Sequence, residues 1–102
     1  MDGLSPKTWL LAQKIFPNDA EAAGRVLVEE CGQNLPFCKD YDEFILERLR
    51  FAALKISQGD LHRLQKAVDQ AKRDWRDELV WAGFAERLEA HSEWADATLD
   101  AA

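Results

Sequence analysis

The chain has 102 residues, 47% of them hydrophobic and 31% charged, with a net charge of −6 at pH 7. This length and composition are those of one soluble globular domain, and they exclude a disordered chain and a second hydrophobic core. No apolar run approaches the roughly 20 residues of a membrane span, and the N-terminus lacks the pattern of a signal peptide. With Cys31 and Cys38 as its two cysteines, the chain carries no disulfide framework, and we expect a cytoplasmic protein.

The charges are distributed unevenly along the chain. The net charge is −5 over residues 1–47, +5 over residues 48–76 and −6 over residues 77–102. One interpretation is internal compensation, in which acidic surfaces of the first and last helices face the basic middle ones. The other is a dipolar molecule with a basic surface that steers a charged partner. The sequence alone leaves both open.

Residues 41–57 predict the central helix of an all-α, single-domain bundle of four to five helices. At 100° per residue, one apolar stripe comprises Tyr41, Ile45, Leu49, Ala52 and Ile56, and a second comprises Phe44 and Phe51. A helix that is apolar on two sides needs neighbours on both. The charged side chains between the stripes are expected to reach solvent through the gaps; these are Glu47, Arg48, Arg50 and Lys55.

Two helices precede the central one. Ser5 followed by Pro6 is typical of a helix start, and Asn18 or Asp19 is placed to cap the second helix. Gly32 is placed to end that helix in the left-handed conformation.

A loop over residues 33–40 leads into the central helix, because Pro36 biases Leu35 away from helical geometry. We expect Leu35 and Phe37 to reach the core. The whole chain, 1–102, is interpreted as one helical domain with residues 97–102 frayed.

After the central helix, Gly59 is a stop signal and Asp60 a cap for the next helix. One apolar stripe then comprises Leu61, Leu64, Val68, Ala71, Trp75 and Leu79. This stretch predicts either one long helix or two, because Asp74 offers a second N-terminus.

Gly83 ends that stretch, and a fifth helix is expected from Ala85 to about Asp96. In and just before this helix, four residues recur at helical spacing, with Trp94 beside them: Phe84, Leu88, His91 and Ala95.

Two segments of the sequence resemble segments of small uncharacterised bacterial all-helical proteins. These are residues 47–55 (ERLRFAALK) and 74–84 (DWRDELVWAGF). The resemblance covers roughly residues 16–94 and implies a bacterial or phage origin. It implies no reaction or ligand and supplies no site residues.

The sequence contains few residues that could form a metal-binding or catalytic site. Cys31, Cys38, His62 and His91 lack the tight Cys-x(2–4)-Cys or His-x(3–5)-His spacing of structural zinc sites. Neither cysteine lies at a predicted helix N-terminus, where a reactive thiolate is easiest to explain. We predict no catalytic residue, metal or small-molecule cofactor, and hence a non-enzymatic protein.

The tryptophans favour a protein-binding module. Trp75 and Trp81 are six residues apart on one helix, so if Trp75 faces the core, Trp81 lies at an edge. We predict apolar anchors and a positive surface for a protein partner or for self-association, formed by Trp81, Trp94, Arg63, Lys66, Arg73 and Arg76. Small acidic proteins of this type are often inhibitors, immunity proteins or assembly factors.

The alternative function is a helix-turn-helix regulator that binds nucleic acid through helix 61–76. The turn at residues 57–60 separates two predicted helices, and the second would present Arg63 and Lys66. Against it, the whole chain is acidic, with a sequence pI near 4.8.

Overall fold

The computed structural model describes residues 1–32, 35 and 43–101, and this part of the chain forms six α-helices. In chain order they are α1 (Pro6–Ile15), α2 (Ala20–Glu30), α3 (Glu43–Ser57), α4 (Leu61–Arg73), α5 (Trp75–Ala82) and α6 (Ala90–Asp100). The all-α fold class is confirmed. There are six helices in this part of the chain, where four to five were predicted, because the stretch after Asp60 forms two helices.

Helix α3 is central, as predicted, because it packs against α1, α4, α5 and α6. Its fully buried residues include Leu49, Ala52, Ala53 and Leu54. Tyr41, the predicted first residue of the apolar stripe, lies outside the described residues, as do Phe37 and Cys38.

The prediction that the α3 arginines reach solvent is wrong. Arg48 and Arg50 are buried, and each donates to main-chain carbonyl oxygens. Arg48 Nη2 lies 2.7 Å from the oxygen of Phe84, while Arg50 donates to Cys31 at 2.9 Å and to Gly3 at 2.8 Å. These carbonyls lie outside helices and need donors once buried, which the guanidinium groups supply.

The first two helices begin where the sequence predicts. The Ser5 side chain accepts a hydrogen bond from Thr8 N at 3.2 Å, and α2 has Asp19 at its N-cap without a side-chain bond. The predicted left-handed cap at Gly32 is wrong. Instead α2 ends at Glu30, and its C-cap is Cys31, which has a φ of −119° and donates its backbone N–H to the oxygen of Leu27.

Asp74 separates α4 from α5. Its side chain accepts from the backbone N–H groups of Arg76 at 3.1 Å and Asp77 at 3.3 Å, so it caps a new helix. The second of the two alternatives, a broken helix, is therefore confirmed.

Gly83 ends α5 with a φ of 81°, in agreement with the prediction. Helix α6 starts at Ala90 and not at the predicted Ala85, so Leu88 precedes the helix, and it is 62% exposed. The helix continues past Asp96 to Asp100. Leu35 is buried, as expected.

Candidate functional site

A surface groove lies where the start of α4 meets the end of α5, with the end of α3 beneath them. It encloses about 640 Å³. We call it the α4–α5 groove; its lining residues are Lys55, Ile56, Gln58, Arg63, Lys66, Trp81, Ala82 and Gly83.

The first turn of α4 forms one wall. Asp60 caps this turn by accepting from Arg63 N at 3.0 Å, and the same backbone hydrogen bond holds the pKa of Asp60 below its usual value. Arg63 and Lys66 are three residues apart, so they lie on one face of the helix. The cap therefore directs two cations into the groove.

The last turn of α5 forms the other wall. The buried face of α5 consists of Glu78, Leu79 and Ala82, which leaves Val80 and Trp81 pointing outward. Trp81 is 63% exposed and Val80 is 65% exposed. A tryptophan this exposed beside a groove is a feature of binding surfaces, because interfaces are enriched in Trp and Arg.

Lys55 joins the two walls from below. Its Nζ donates to the carbonyl oxygen of Ala82 at 2.7 Å and lies 5.0 Å from the ring centroid of Phe84. The ammonium thus bonds an unpaired carbonyl at the C-terminal end of α5, where a positive charge is favourable. Sequence reasoning placed Lys55 in solvent and missed this role, because Ala82 is 27 residues away in the chain.

The groove is positively charged. Arg63 Nη1 donates to the side-chain oxygen of Gln58 at 2.7 Å, which fixes the guanidinium. The Asp60 carboxylate attracts Arg63 electrostatically, but the three cations Lys55, Arg63 and Lys66 outnumber it. Within residues 1–32, 35 and 43–101, no carboxylate pairs with Lys55, Arg63 or Lys66.

Internal charge compensation takes place elsewhere. Lys72 on α4 pairs with Glu30 on α2, and Lys7 on α1 pairs with Asp96 on α6 at 2.5 Å. The compensating pairs therefore leave the groove cations without a carboxylate partner among the described residues.

Three of the six predicted partner-binding residues meet in the groove: Arg63, Lys66 and Trp81. Arg73 lies ten residues after Arg63 on α4, which places it about 15 Å away along the helix axis. Arg76 is in the first turn of α5, with its Cζ 5.3 Å from the ring centroid of Trp75. Neither lines the groove.

Trp94 also lies away from the groove. It is half-buried among aromatic rings, with its centroid 5.8 Å from that of Phe84 and 6.2 Å from that of Phe51. Trp81, in contrast, is exposed, as its predicted role as an apolar anchor requires.

Two buried ionisable side chains lie outside the groove. Burial raises the pKa of Glu78 to about 8, and neither of its carboxyl oxygens has a hydrogen-bond partner in the part of the chain that the structure describes. Burial also lowers the pKa of His91, whose ring lies 5.2 Å from that of Phe44. Neither residue lines the groove, and their perturbed pKa values bear on stability.

The described residues hold no group of three or more His, Cys, Asp or Glu side chains arranged to bind a metal ion. None of the helices in these ranges combines the length and the apolar composition of a membrane span. Neither a protein-family model, nor a curated protein, nor a solved structure matches the chain. The resemblance to small bacterial proteins stays a prediction. The proposed function is therefore based on the residues of the α4–α5 groove.

Proposed function

We propose that the protein is a non-enzymatic binding module that recognises an acidic segment of a protein through the α4–α5 groove. The observation that carries this proposal is the exposed Trp81 beside Lys55, Arg63 and Lys66. An indole and three cations without carboxylate partners among the described residues suit a ligand that has both an apolar side chain and negative charge.

Trp81 supplies the apolar part of the binding free energy. Burying its exposed surface under a partner side chain contributes on the order of 3 kcal/mol. Ile56 and Ala82 continue the apolar surface into the groove. This contribution depends little on salt concentration.

The cations supply specificity. The whole molecule has a net charge of −6, but charges farther away than about 8 Å are largely screened at physiological ionic strength. At contact distance a ligand therefore interacts mainly with Lys55, Arg63 and Lys66, whose combined positive charge exceeds the single negative charge of the nearby Asp60. An acidic segment is attracted there and a basic one is rejected.

The proposed cellular role is that of an inhibitor, immunity protein or assembly factor in a bacterial cytoplasm, where the module acts by occupying a partner's acidic surface. The six-helix fold supports it by holding the groove walls on capped helix ends. No step of this role needs a covalent reaction.

The alternative, a nucleic-acid-binding regulator, draws support from α3, the turn at Gln58–Asp60 and the exposed His62, Arg63 and Lys66 of α4. Its predicted recognition helix, 61–76, is interrupted at Asp74, so Arg76 belongs to another helix. The apolar Trp81 beside these cations favours a protein ligand.

The test is affinity capture of tagged protein from bacterial lysate, in nuclease-treated and untreated halves, followed by binding measurements with the purified captured protein. Four forms are compared: wild type, Trp81→Ala, Arg63→Ala with Lys66→Ala, and the control Leu10→Ala. Leu10 is an exposed apolar residue on α1, away from the groove.

Support for the proposal is a purified partner whose affinity falls about tenfold or more with Trp81→Ala and with the double variant, while Leu10→Ala binds as wild type. All forms should give the same circular dichroism spectrum. A partner that binds all four forms equally rules out the groove. Recovery of nucleic acid from the untreated half alone overturns the protein-binding function and favours the regulator.

A further inference from the structure

The chain carries a short acidic segment with one exposed apolar side chain, directly after the groove. This segment, residues 86–89, consists of Glu86, Arg87, Leu88 and Glu89, and all four are exposed. Leu88 projects with 62% of its surface accessible. The segment therefore has the features that the groove selects for.

The two glutamates are available for a partner. Arg87 pairs with Glu93 of α6, so its charge is compensated locally. Glu89 lies at the N-cap of α6 and makes no side-chain cap hydrogen bond. Neither Glu86 nor Glu89 pairs with any of the described residues, 1–32, 35 and 43–101.

The segment lies beside the groove on the molecular surface. Gly83 lines the groove, and Glu86 follows three residues later, so the two Cα atoms are at most about 11 Å apart. In the folded molecule the exposed Leu88 does not cover the chain's own Trp81, since both are exposed. The Leu88 side chain of a second copy can cover the exposed Trp81 of the first.

We infer that the α4–α5 groove binds the acidic segment 86–89 of a second copy of this chain. This inference rests on the proposed function, because it names one occupant of the same groove. Arg63 and Lys66 of each copy pair with Glu86 and Glu89 of the other, while Leu88 packs against Trp81.

The adjacency of the two surfaces fits a twofold-symmetric dimer. When complementary patches lie side by side on one molecule, a twofold axis between them brings each patch onto its counterpart. Both grooves are then filled at once and the assembly closes as a dimer. The exposed Val80 directly precedes Trp81 on α5 and adds an apolar side chain next to this groove wall.

The dimer is weak and concentration-dependent. Each copy has a net charge of −6, and the resulting repulsion opposes the local attraction. Because of this repulsion, a specific contact and a nonspecific charge effect predict opposite results when acidic residues are replaced. Replacing acidic residues by lysine lowers the overall repulsion, so it strengthens association unless those residues make the contact.

The experiment is a charge exchange followed by sedimentation velocity, over a concentration series that extends to the millimolar range. The groove variant carries Arg63→Glu and Lys66→Glu, and the segment variant carries Glu86→Lys and Glu89→Lys. Each alone places like charges in both contacts of its homodimer. In an equimolar mixture, the heterodimer has opposite charges in both contacts.

The expected result is wild-type dimerisation, at least about tenfold weaker self-association of each variant, and recovery of dimers in the mixture. Trp81→Ala should weaken the wild-type dimer to a similar extent. The matched control for the segment variant is Asp2→Lys with Glu21→Lys, which changes the net charge equally at exposed sites elsewhere. That control should associate as strongly as wild type or more strongly.

Three results overturn the inference: a monomeric wild type throughout the series, variants that associate as wild type does, or no dimers in the mixture. If the chain is monomeric while a captured partner still requires Trp81, the inference fails and the proposed function stands. If the exchange restores dimers while capture recovers no other protein, the inference stands and the groove serves self-association.

Discussion

The Nζ of Lys55 donates to the carbonyl oxygen of Ala82 at 2.7 Å, and this bond fixes the end of α5 over the end of α3. Ala82 and Lys55 both line the α4–α5 groove. The side chain therefore does two things: it satisfies a helix C-terminal carbonyl and adds positive charge to the groove floor.

Replacing Lys55 by methionine should destabilise the protein by about 1–2 kcal/mol, because the hydrogen bond and the contact with the Phe84 ring are both lost. Lys66→Met is the matched control, since Lys66 is exposed and makes no ion pair with the described residues. Urea unfolding should show a shift for Lys55→Met alone. Equal shifts for the two variants would contradict the role of the Ala82 contact.

Replacing Asp74 by alanine should destabilise the protein by about 1 kcal/mol, because two backbone N–H groups of α5 lose their acceptor. Asp19→Ala is the control: Asp19 also occupies an N-cap but makes no side-chain cap bond. Thermal unfolding followed at 222 nm distinguishes the two. If Asp19→Ala costs as much as Asp74→Ala, the hydrogen bonds are not the cause.

The helix boundaries that were predicted correctly depend on interactions between residues close together in the chain. The helix caps accept hydrogen bonds from backbone N–H groups two or three residues later in the chain; these caps are Ser5, Asp60 and Asp74. Gly83 ends α5 through its own left-handed conformation. Such effects are readable from neighbouring residues. The edge position of Trp81 was also predictable, because it follows from its spacing to Trp75 along one helix.

What the sequence missed depends on distant parts of the chain. The burial of Arg48 and Arg50 reflects the carbonyl oxygens of Phe84 and Gly3, which are 36 and 47 residues away. A charged residue on a helix gives no local sign of such a partner. The separation of Arg73 and Arg76 from the groove likewise depends on where α5 starts and how it packs against α4.

Gly59→Ala should cost more stability than Gly83→Ala, although both glycines have a φ of 81°. Each substitution costs about 1 kcal/mol for the left-handed conformation. At Gly59 a new Cβ would also lie 2.9 Å from the backbone oxygen of Ile15, whereas at Gly83 the nearest atom is the flexible Lys55 Nζ at 3.6 Å. Denaturant midpoints measure the difference, and equal costs would show that the backbone contact relaxes freely.

Glu78→Gln should stabilise the protein increasingly as the pH rises from 5 to 8. The folded state holds the Glu78 proton up to about pH 8, whereas an ordinary glutamate loses it near 4.5. Between these values the folded state binds the extra proton, so wild-type stability falls by about 1 kcal/mol per pH unit through this group. Glutamine carries no charge at any pH, which removes that slope.

The measurement is urea unfolding of both forms at a series of pH values, with Glu21→Gln as an exposed control. His91 contributes the opposite slope below pH 6.5, because burial lowers its pKa, but this slope is common to both forms and cancels in their difference. A difference between wild type and Glu78→Gln that is constant from pH 5 to 8 would show that Glu78 is already ionised in the folded protein.

Removing the groove cations should weaken partner binding, while removing the distant pair should not. Arg63→Ala with Lys66→Ala takes two charges from the groove, and we expect about tenfold lower affinity with a shallower dependence on salt. Arg73→Ala with Arg76→Ala takes the same charge from residues that do not line the groove. Titration calorimetry of both double variants at two salt concentrations compares them directly. Equal losses would mean that the partner contacts the full length of α4 and the start of α5, so the binding surface would extend beyond the groove.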